Sequence, residues 1–253
     1  MLNYTGYSAE LWVLVKKYTF ARTDTKKWKG TVGVIAKETV CNDNKNIDLR
    51  INADDVVIGG NKRYDMIKRI LDAAASAVAM IVLLVPMLII AALIKMDSKG
   101  PAIYSQERLG LNGKPFVMYK FRSMGLDAEI NGPQWADEDD QRCTKLGRLL
   151  RKTRLDELPQ LYNILVGDMS FVGPRPEREC FYIQFEEYIP GFKNRMVVMP
   201  GLTGHAQVNG GYSLKPEEKI VFDMEYIANR SLKMDLQCIW KTIRVVLFRE
   251  GAR

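Results

Sequence analysis

The sequence predicts a mixed α/β, helix-rich fold that is monotopic in a membrane and carries a small globule on the cytoplasmic side. Three observations lead to this fold class. The segment from Ala73 to Ile94 runs for 22 residues without a charge. Basic residues flank both of its ends, and residues 99–253 have the composition of a soluble domain. The chain has 37 Lys and Arg against 30 Asp and Glu, so its net charge of +7 favours an anionic partner.

Residues 1–60 form an N-terminal appendage to which the sequence assigns no role. Ile47, Leu49 and Ile51 alternate with polar residues, as a half-buried strand requires. Residues 56–58 precede Gly59 and Gly60 and predict a second strand that ends in a turn. The appendage contains no motif that would support chemistry.

The apolar segment within residues 61–98 predicts a re-entrant membrane helix. Residues 73–94 would form a helix of about 33 Å, enough to cross a hydrocarbon core of about 30 Å. Pro86 lies inside this segment and predicts a break. Because cations flank both ends and basic flanks prefer the cytoplasm, a hairpin with both ends inside is favoured. A kinked single crossing and a buried helix of a soluble protein are the alternatives.

Two amphipathic helices are predicted to lie at the membrane interface. In residues 142–154, Leu146, Leu149 and Leu150 share a face that is surrounded by cations, which suits a surface with anionic lipid. Near the C-terminus, apolar residues from Leu232 to Leu247 recur at spacings of three and four. A surface helix packed on the core and a plain core helix are the respective alternatives.

Asp156 and Glu157 are the most suggestive residues for chemistry. Pro159 fits the first turn of a helix that Gly167 ends, so both carboxylates are predicted at or just before a helix N-terminus. An N-cap role would explain them without catalysis. They also follow a run of cations that includes Arg154. A carboxylate in such a place could bind Mg²⁺ on a diphosphate substrate or attack phosphorus.

Other kinds of site are not favoured. The four cysteines form no CxxC pair and the chain has one histidine, His205, so a zinc site is not expected. Neither a Walker A loop nor a GxSxG or HExxH motif is present. Aromatic residues do not interleave with the basic run, so nucleic acid is not an expected partner.

Three ordered blocks resemble the bacterial sugar transferase family. They are SQERLGLNGKPFVMYKFRSM (Ser105–Met124), RLDELPQLYNILVGDMSFVGPRPE (Arg154–Glu177) and MPGLTGHAQVNG (Met199–Gly210). The pairing of LDELPQ with GPRP is highly specific, and the resemblance runs from about residue 68 to residue 235. Members are monotopic polyprenol-phosphate phosphoglycosyl transferases. This chain looks like a short form, without the multi-helix N-terminal membrane domain of long members.

The resemblance implies a reaction, in which a phosphosugar passes from a UDP-sugar to undecaprenyl phosphate and UMP is released. Asp156 would form a covalent aspartyl-phosphosugar intermediate, and Glu157 would bind Mg²⁺ with Asp156 or orient it. Phosphates and nucleotide would be contacted by four substrate-binding cations: Lys120, Arg122, Arg151 and Arg175. Pro86 would mark the re-entrant break. The reaction would be the first membrane step of bacterial polysaccharide or glycoconjugate assembly, at the cytoplasmic face of the inner membrane and beside anionic lipid.

Three departures from the family pattern and two rival functions remain. His205 stands where an apolar or aromatic residue is common, and we expect it to be structural or to shape the substrate site and not to act as a general base. Val85 stands where many members have Ser before the proline, and Arg154 stands where many have Ser or Thr. A membrane-bound, Mg²⁺-dependent nucleotide-sugar hydrolase could use the same carboxylates. A non-enzymatic membrane scaffold would explain the charge and the apolar segment, but it would leave Asp156 and Glu157 without a role. The sequence leaves open the sugar, the glycan and whether the chain forms a homo-oligomer.

Overall fold

The computed structural model describes residues 62–130, 140–210 and 214–248. The two strands predicted within residues 1–60 lie outside this part of the chain. The described helices are α1 (Lys62–Val82), α2 (Leu84–Asp97), α3 (Lys145–Thr153), α4 (Gln160–Val166), α5 (Glu179–Tyr188), α6 (His205–Gly210), α7 (Pro216–Asn229) and α8 (Leu232–Phe248). The strands are β1 (Ile103–Leu109), β2 (Pro115–Phe121), β3 (Ser170–Val172) and β4 (Gly201–Thr203). The architecture is therefore helix-rich and mixed α/β, as the sequence predicts.

Helices α1 and α2 form a bent pair, but the bend is not at Pro86. The chain turns by 62° at Leu83, and Pro86 lies in the first turn of α2. A proline has no N–H to donate to the carbonyl four residues earlier, here that of Val82, so the helix opens before the proline. In the first turn of the next helix the missing donor costs nothing. In the described residues no single helix is long and apolar enough to cross a membrane, whereas this bent pair meets both criteria together.

One side of the bent pair packs on the globule and the other side is exposed. Ile90 and Ile94 of α2 pack in a cluster with Phe121 and Leu150. The opposite side carries large aliphatic residues that are more than half exposed: Val78, Ile81, Val82, Leu84, Val85 and Leu88. So large an uncovered apolar surface marks a surface that meets a membrane or a partner.

The strands form two separate pairs, of which the first lies largely within the first block and the second joins the second block to the third. β1 and β2 are an antiparallel hairpin in which Tyr104 pairs with Lys120. β3 and β4 are parallel, and Ser170 pairs with Gly201. Beyond β3, Gly173 lies so close to the loop before β4 that an added Cβ would be 2.2 Å from the Met199 carbonyl oxygen. Only glycine permits this approach, which brings the GPRP segment against the MPGLTG segment.

The two predicted amphipathic helices each have one covered and one exposed side. In α3, Leu150 is buried and Leu146 packs beside it, whereas Leu149 is exposed. Helix α8 buries Cys238 and packs Ile239 against the core. Its exposed side presents an apolar stripe, which we call the α8 stripe: Leu232, Leu236, Trp240 and Ile243. Both helices therefore belong to the core and also offer apolar surface outward.

Candidate active site

Asp156 and Glu157 occupy a single 3₁₀ turn, Leu155–Glu157, between α3 and α4. Arg154 begins this turn in the left-handed conformation (φ 60°), which reverses the chain at the end of α3. Gly167, also left-handed (φ 102°), ends α4 as the sequence predicts. Both carboxylates are buried, with 6% of Asp156 and 8% of Glu157 exposed. Buried carboxylates are costly unless they are paired, so their partners decide what each can do.

Glu157 is held by three cations. Its Oε1 accepts a hydrogen bond from Arg175 Nη2 at 2.5 Å, and Lys120 Nζ and Arg154 Nη1 lie 3.5 and 3.9 Å from the same atom. Burial by itself would raise the pKa of Glu157, but the charges of Arg175, Lys120 and Arg154 outweigh it and lower the pKa to about 2. Glu157 is therefore ionised at neutral pH, and its carboxylate holds the three cationic side chains close together.

Asp156 has different surroundings. Its Oδ1 is buried and has no hydrogen-bond partner among the described residues. Burial, and next the charge of Glu157, raise the pKa of Asp156 to about 6, against the opposing effect of Lys120 and Arg175. A carboxylate with a poorly solvated, unpartnered oxygen is available to a ligand cation or to an electrophile.

The carboxylates line a cavity of about 510 Å³ whose walls are rich in cations. We call it the polar cavity. Of the four predicted substrate-binding residues, Lys120 and Arg175 form ion pairs with Glu157. Arg151 also lines the cavity, where its Nη1 donates to Cys143 Sγ at 3.2 Å. Its volume and charge suit a substrate that carries several phosphate oxygens.

Arg122 lines the same cavity but is directed elsewhere. Its guanidinium donates to the carbonyl oxygens of Lys99 and Ser98 at 2.6 and 2.8 Å, just after the end of α2. It thereby ties the end of β2 to the bent pair. The structure gives Arg122 this anchoring contact, and its role in substrate binding stays a prediction.

Lys120 is placed by β2, and β2 is fixed to α4 by Asn163. The Asn163 amide donates to the Val117 carbonyl at 2.7 Å and accepts from the Tyr119 amide at 3.1 Å. Burial, partly offset by Glu157, lowers the pKa of Lys120 to about 8. Asn163 lies in the second block, but nothing in the sequence marked it as the residue that sets the distance from Lys120 to Glu157.

A second group of largely buried charges follows the GPRP segment, and four of its members line the polar cavity: Arg108, Glu177, Arg195 and Lys219. Glu177 receives Arg108 at 3.1 Å and Lys219 at 3.6 Å, and Arg195 pairs with Asp223 at 2.6 Å. The sequence did not predict a functional role for these residues. Arg108 and Glu177 lie inside the first and second family blocks, and that position was a signal for such a role. Lys219, Arg195 and Asp223 lie outside the blocks, and no sequence pattern marked them.

Arg175 is held from two sides. Its Nη1 donates to the Leu202 carbonyl at 3.0 Å while Nη2 donates to Glu157. The backbone beside it is fixed by the hydrogen bond from the Gly201 amide to the Pro174 carbonyl at 3.0 Å. The second and third blocks thus converge on the carboxylates.

The comparison with known proteins agrees with this convergence. The sequence pattern described as "Bacterial sugar transferase" matches residues 63–249, which include the bent pair and all of the site. The chain belongs to the bacterial sugar transferase family. As a member of this family, it brings residues of all three sequence blocks into one site around Asp156 and Glu157.

The chain is similar in sequence to three relatives whose names describe sugar-phosphate transferases. It is 44% identical over 193 residues to a UDP-N-acetylgalactosamine-undecaprenyl-phosphate N-acetylgalactosaminephosphotransferase of Aeromonas hydrophila, covering 75% of this chain and 46% of that protein. It is 48% identical over 134 residues to a putative undecaprenyl-phosphate N-acetylgalactosaminyl 1-phosphate transferase of Bacillus subtilis, covering 53% of this chain and 75% of that protein. It is 41% identical over 194 residues to a UDP-glucose:undecaprenyl-phosphate glucose-1-phosphate transferase of Caulobacter vibrioides, covering 74% of this chain and 72% of that protein. The match thus spans less than half of the Aeromonas relative.

Proposed function

We propose that this bacterial sugar transferase moves a phosphosugar from a UDP-sugar to undecaprenyl phosphate and releases UMP. The observation that carries the proposal is the unpartnered, buried Oδ1 of Asp156 in a cation-lined cavity. The names of the relatives support undecaprenyl phosphate as acceptor, and two of them name a UDP-sugar. They differ in the sugar, so the sugar is left for experiment.

The chemistry would proceed in two balanced steps. Asp156 Oδ1 attacks the sugar-linked phosphorus, the bond from that phosphorus to the UMP oxygen breaks, and UMP leaves with the electron pair. An oxygen of undecaprenyl phosphate then attacks the same phosphorus, and the bond to Asp156 breaks to regenerate the carboxylate. Lys120, Arg154 and Arg175 would stabilise the negative charge on the phosphoryl oxygens during both steps. A covalent intermediate of this kind gives ping-pong kinetics.

The donor set fits Mg²⁺ bound jointly with a substrate. Among residues 62–130, 140–210 and 214–248, no group of three or more His, Cys, Asp or Glu side chains could hold a metal ion. Mg²⁺ commonly uses only one or two carboxylates and completes its shell with water and substrate phosphates. Glu157 and the Asp156 oxygen that does not attack would hold it, since both carboxylates line the polar cavity, and when bound it would neutralise charge on the diphosphate.

The bent pair would place this site at the cytoplasmic face of the inner membrane. Its uncovered apolar side would enter the lipid as a re-entrant hairpin, and the exposed sides of α3 and α8 would lie at the interface. The exposed cations of α3 include Lys145 and Arg148, which suit anionic lipid. In this position the acceptor phosphate stays at headgroup depth while the nucleotide sugar arrives from water. The product would begin a polysaccharide or glycoconjugate.

The test is UMP release from a panel of UDP-sugars, with Mg²⁺ and undecaprenyl phosphate, by wild type and Asp156→Asn. We expect acceptor-dependent turnover with one or a few sugars and none in the variant. A stoichiometric phosphosugar adduct on Asp156, detected by mass spectrometry without acceptor, would support the covalent step. Multiple turnovers without acceptor would indicate the nucleotide-sugar hydrolase. Folded, membrane-bound protein without turnover on any sugar would indicate the scaffold.

A further inference from the structure

A second cavity of about 210 Å³ adjoins the carboxylate turn. We call it the apolar cavity. Its walls come from α4, β3, β4, α6 and α8 and are mostly aliphatic or aromatic: Leu158, Leu161, Phe171, Leu202, Val208 and Ile239. Thr203 and Thr242 add hydroxyls, but these bond to each other at 2.7 Å. The wall therefore offers little to a polar ligand and suits a hydrocarbon.

The two cavities meet at the active site. Arg154, Glu157 and Gln207 line both of them. A ligand with one charged end and one apolar end could thus place its charge beside Arg154 while its hydrocarbon occupies the apolar cavity. Asp156 lines the polar cavity only. A nucleotide sugar on the polar side and an amphipathic phosphate on the other side would reach the carboxylates by different routes.

The apolar cavity is continuous with the surface that faces outward from α8. Ile243 lines the cavity and is also 44% exposed as the last residue of the α8 stripe. From there, Trp240, Leu236 and Leu232 continue the apolar surface away from the cavity, at spacings that keep them on one side of the helix. A long hydrocarbon leaving the cavity would therefore stay in contact with apolar side chains.

We propose that the apolar cavity binds the isoprene units next to the phosphate of the polyprenyl phosphate acceptor. The acceptor phosphate would lie at the shared end beside Arg154, and the rest of the chain would follow the α8 stripe into the lipid. The cavity is smaller than the roughly 300–1,000 Å³ of drug-sized ligand sites, so it can hold only the head of so long a chain. The inference rests on the proposed function and assigns its acceptor to a place that the donor does not use.

The test separates the two half-reactions. Val208→Phe would fill the apolar cavity from α6. We expect the UMP burst in the absence of acceptor to be unchanged and the KM for undecaprenyl phosphate to rise by roughly tenfold or more, as overpacking a small site would cause. Val197→Phe is the matched control, because Val197 packs against the same core cluster as Val208 but lines neither cavity. That control should leave both quantities unchanged.

The outcomes distinguish this inference from the proposed function. Absence of a UMP burst in wild type would overturn the proposed function itself. A normal burst with an unchanged acceptor KM in Val208→Phe would overturn the apolar cavity as the acceptor site and leave the transferase standing. An equal rise of KM in Val197→Phe would show that the effect is general loosening of the core, which also contradicts the inference.

Photolabelling of the wild-type protein keeps the inference testable if Val208→Phe does not fold. The probe is a prenyl phosphate with a diazirine on its first isoprene unit, used in vesicles. We expect labelling in residues 202–208 or 239–245 that undecaprenyl phosphate competes away and phosphatidylglycerol does not. Labelling confined to residues 62–97 would overturn the inference, and equal competition by phosphatidylglycerol would assign the cavity to an ordinary lipid instead.

Discussion

Asp156 and Glu157 are neighbours in the chain, yet their surroundings act on them in opposite directions. Three cations converge on Glu157 Oε1, whereas Asp156 Oδ1 is buried without a partner among the described residues. The pKa of Asp156 is raised and that of Glu157 is lowered as a result. The ionised form of Asp156 therefore destabilises the folded protein, whereas the ionised form of Glu157 stabilises it.

Asp156→Asn should inactivate the protein and stabilise it. The raised pKa means that the folded state binds the proton more tightly than the unfolded state, so the ionised carboxylate lowers stability above pH 6. Removing that charge should increase the free energy of unfolding at pH 7.5 by about 1–3 kcal/mol. The gain should shrink as the pH falls from 6 to 4, where wild type is protonated. Denaturant unfolding at both pH values checks this, and a less stable variant at pH 7.5 would contradict it.

Glu157→Gln should have the opposite effect on stability. It leaves Arg175 and Lys120 beside a neutral amide, and breaking a buried ion pair costs about 3–5 kcal/mol. The lowered pKa of Glu157 means that this stabilisation is present at neutral pH and is lost only in strong acid. The same unfolding measurement applies. A loss below that of a typical surface ion pair, about 1 kcal/mol, would argue against the cation cluster.

The pH dependence of kcat/KM for the UDP-sugar should be bell-shaped. Asp156 must be ionised to attack, so activity should rise with pH through about 6. Lys120 must be protonated to bind phosphate, so activity should fall as the pH passes about 8. Lys120→Arg is the control, because arginine stays charged in this range and should remove the alkaline limb alone. An unchanged alkaline limb would assign it to another group.

At the scale of elements, α1 is attached directly to the helix that follows the carboxylates. Arg69 donates to the carbonyl oxygens of Ile164 and Leu165, both at 2.7 Å, at the end of α4. These are carbonyls that a helix C-terminus leaves without partners. At the other end of the pair, Arg122 holds the residues after α2. The bent pair is thus fastened to the site at both ends.

The two ends of the bent pair should lie on the same side of the membrane. Cysteines introduced at Arg63 and Lys99, which are both exposed, would report this in a background without native cysteines. A membrane-impermeant maleimide should label neither position in spheroplasts and both in inverted vesicles. Labelling of either one in spheroplasts would indicate a single crossing and contradict the re-entrant hairpin.

At the scale of the whole molecule, a buried polar cluster joins the first and last described helices. Asp235 of α8 accepts hydrogen bonds from Tyr64 of α1 at 2.8 Å and from Tyr226 of α7 at 2.8 Å. Lys68 of α1 pairs with the same carboxylate at 3.0 Å. The bent pair is therefore bound to the C-terminal helices as well as to the helix that follows the carboxylate turn.

Asp235→Asn should destabilise the protein by about 1.5–3 kcal/mol, because it removes the closer of the two carboxylates that pair with Lys68 and leaves only Asp72 at 3.9 Å. Asp65→Asn is the matched control, because Asp65 lies on α1, the helix that carries Lys68. Asp65 pairs with Arg230 at 3.3 Å, but its side chain is 51% exposed. Its loss should cost less than about 1 kcal/mol. Thermal unfolding in detergent compares the two variants, and similar losses would show that the cluster adds no more than a surface ion pair.

Several features could be predicted from the sequence because they depend on neighbours in the chain. The uncharged run from Ala73 to Ile94 predicts an apolar helix, and Pro86 predicts that it breaks. Pro159 and Gly167 place the carboxylates before a short helix. These signals are local periodicity and backbone chemistry, and they do not require knowledge of the tertiary structure. The bend lies at Leu83 and not at the predicted Pro86 because a proline removes the hydrogen bond to the carbonyl four residues earlier. The helix therefore opens one turn before the proline.

Only the tertiary structure decided which charges meet. Lys120, Arg154 and Arg175 come from three different segments, and Arg122, two residues beyond Lys120, is directed to the end of α2 instead. The pairing of Glu177 with Arg108 and Lys219, and the walls of the apolar cavity, likewise join segments that are far apart in the chain. Distances between remote segments depend on close packing and on the hydrogen bonds that align β2 with α4 and β3 with β4. The sequence by itself therefore determined the family, the bent apolar segment and the carboxylate pair, and the packing determined how the site is charged and how it can be approached.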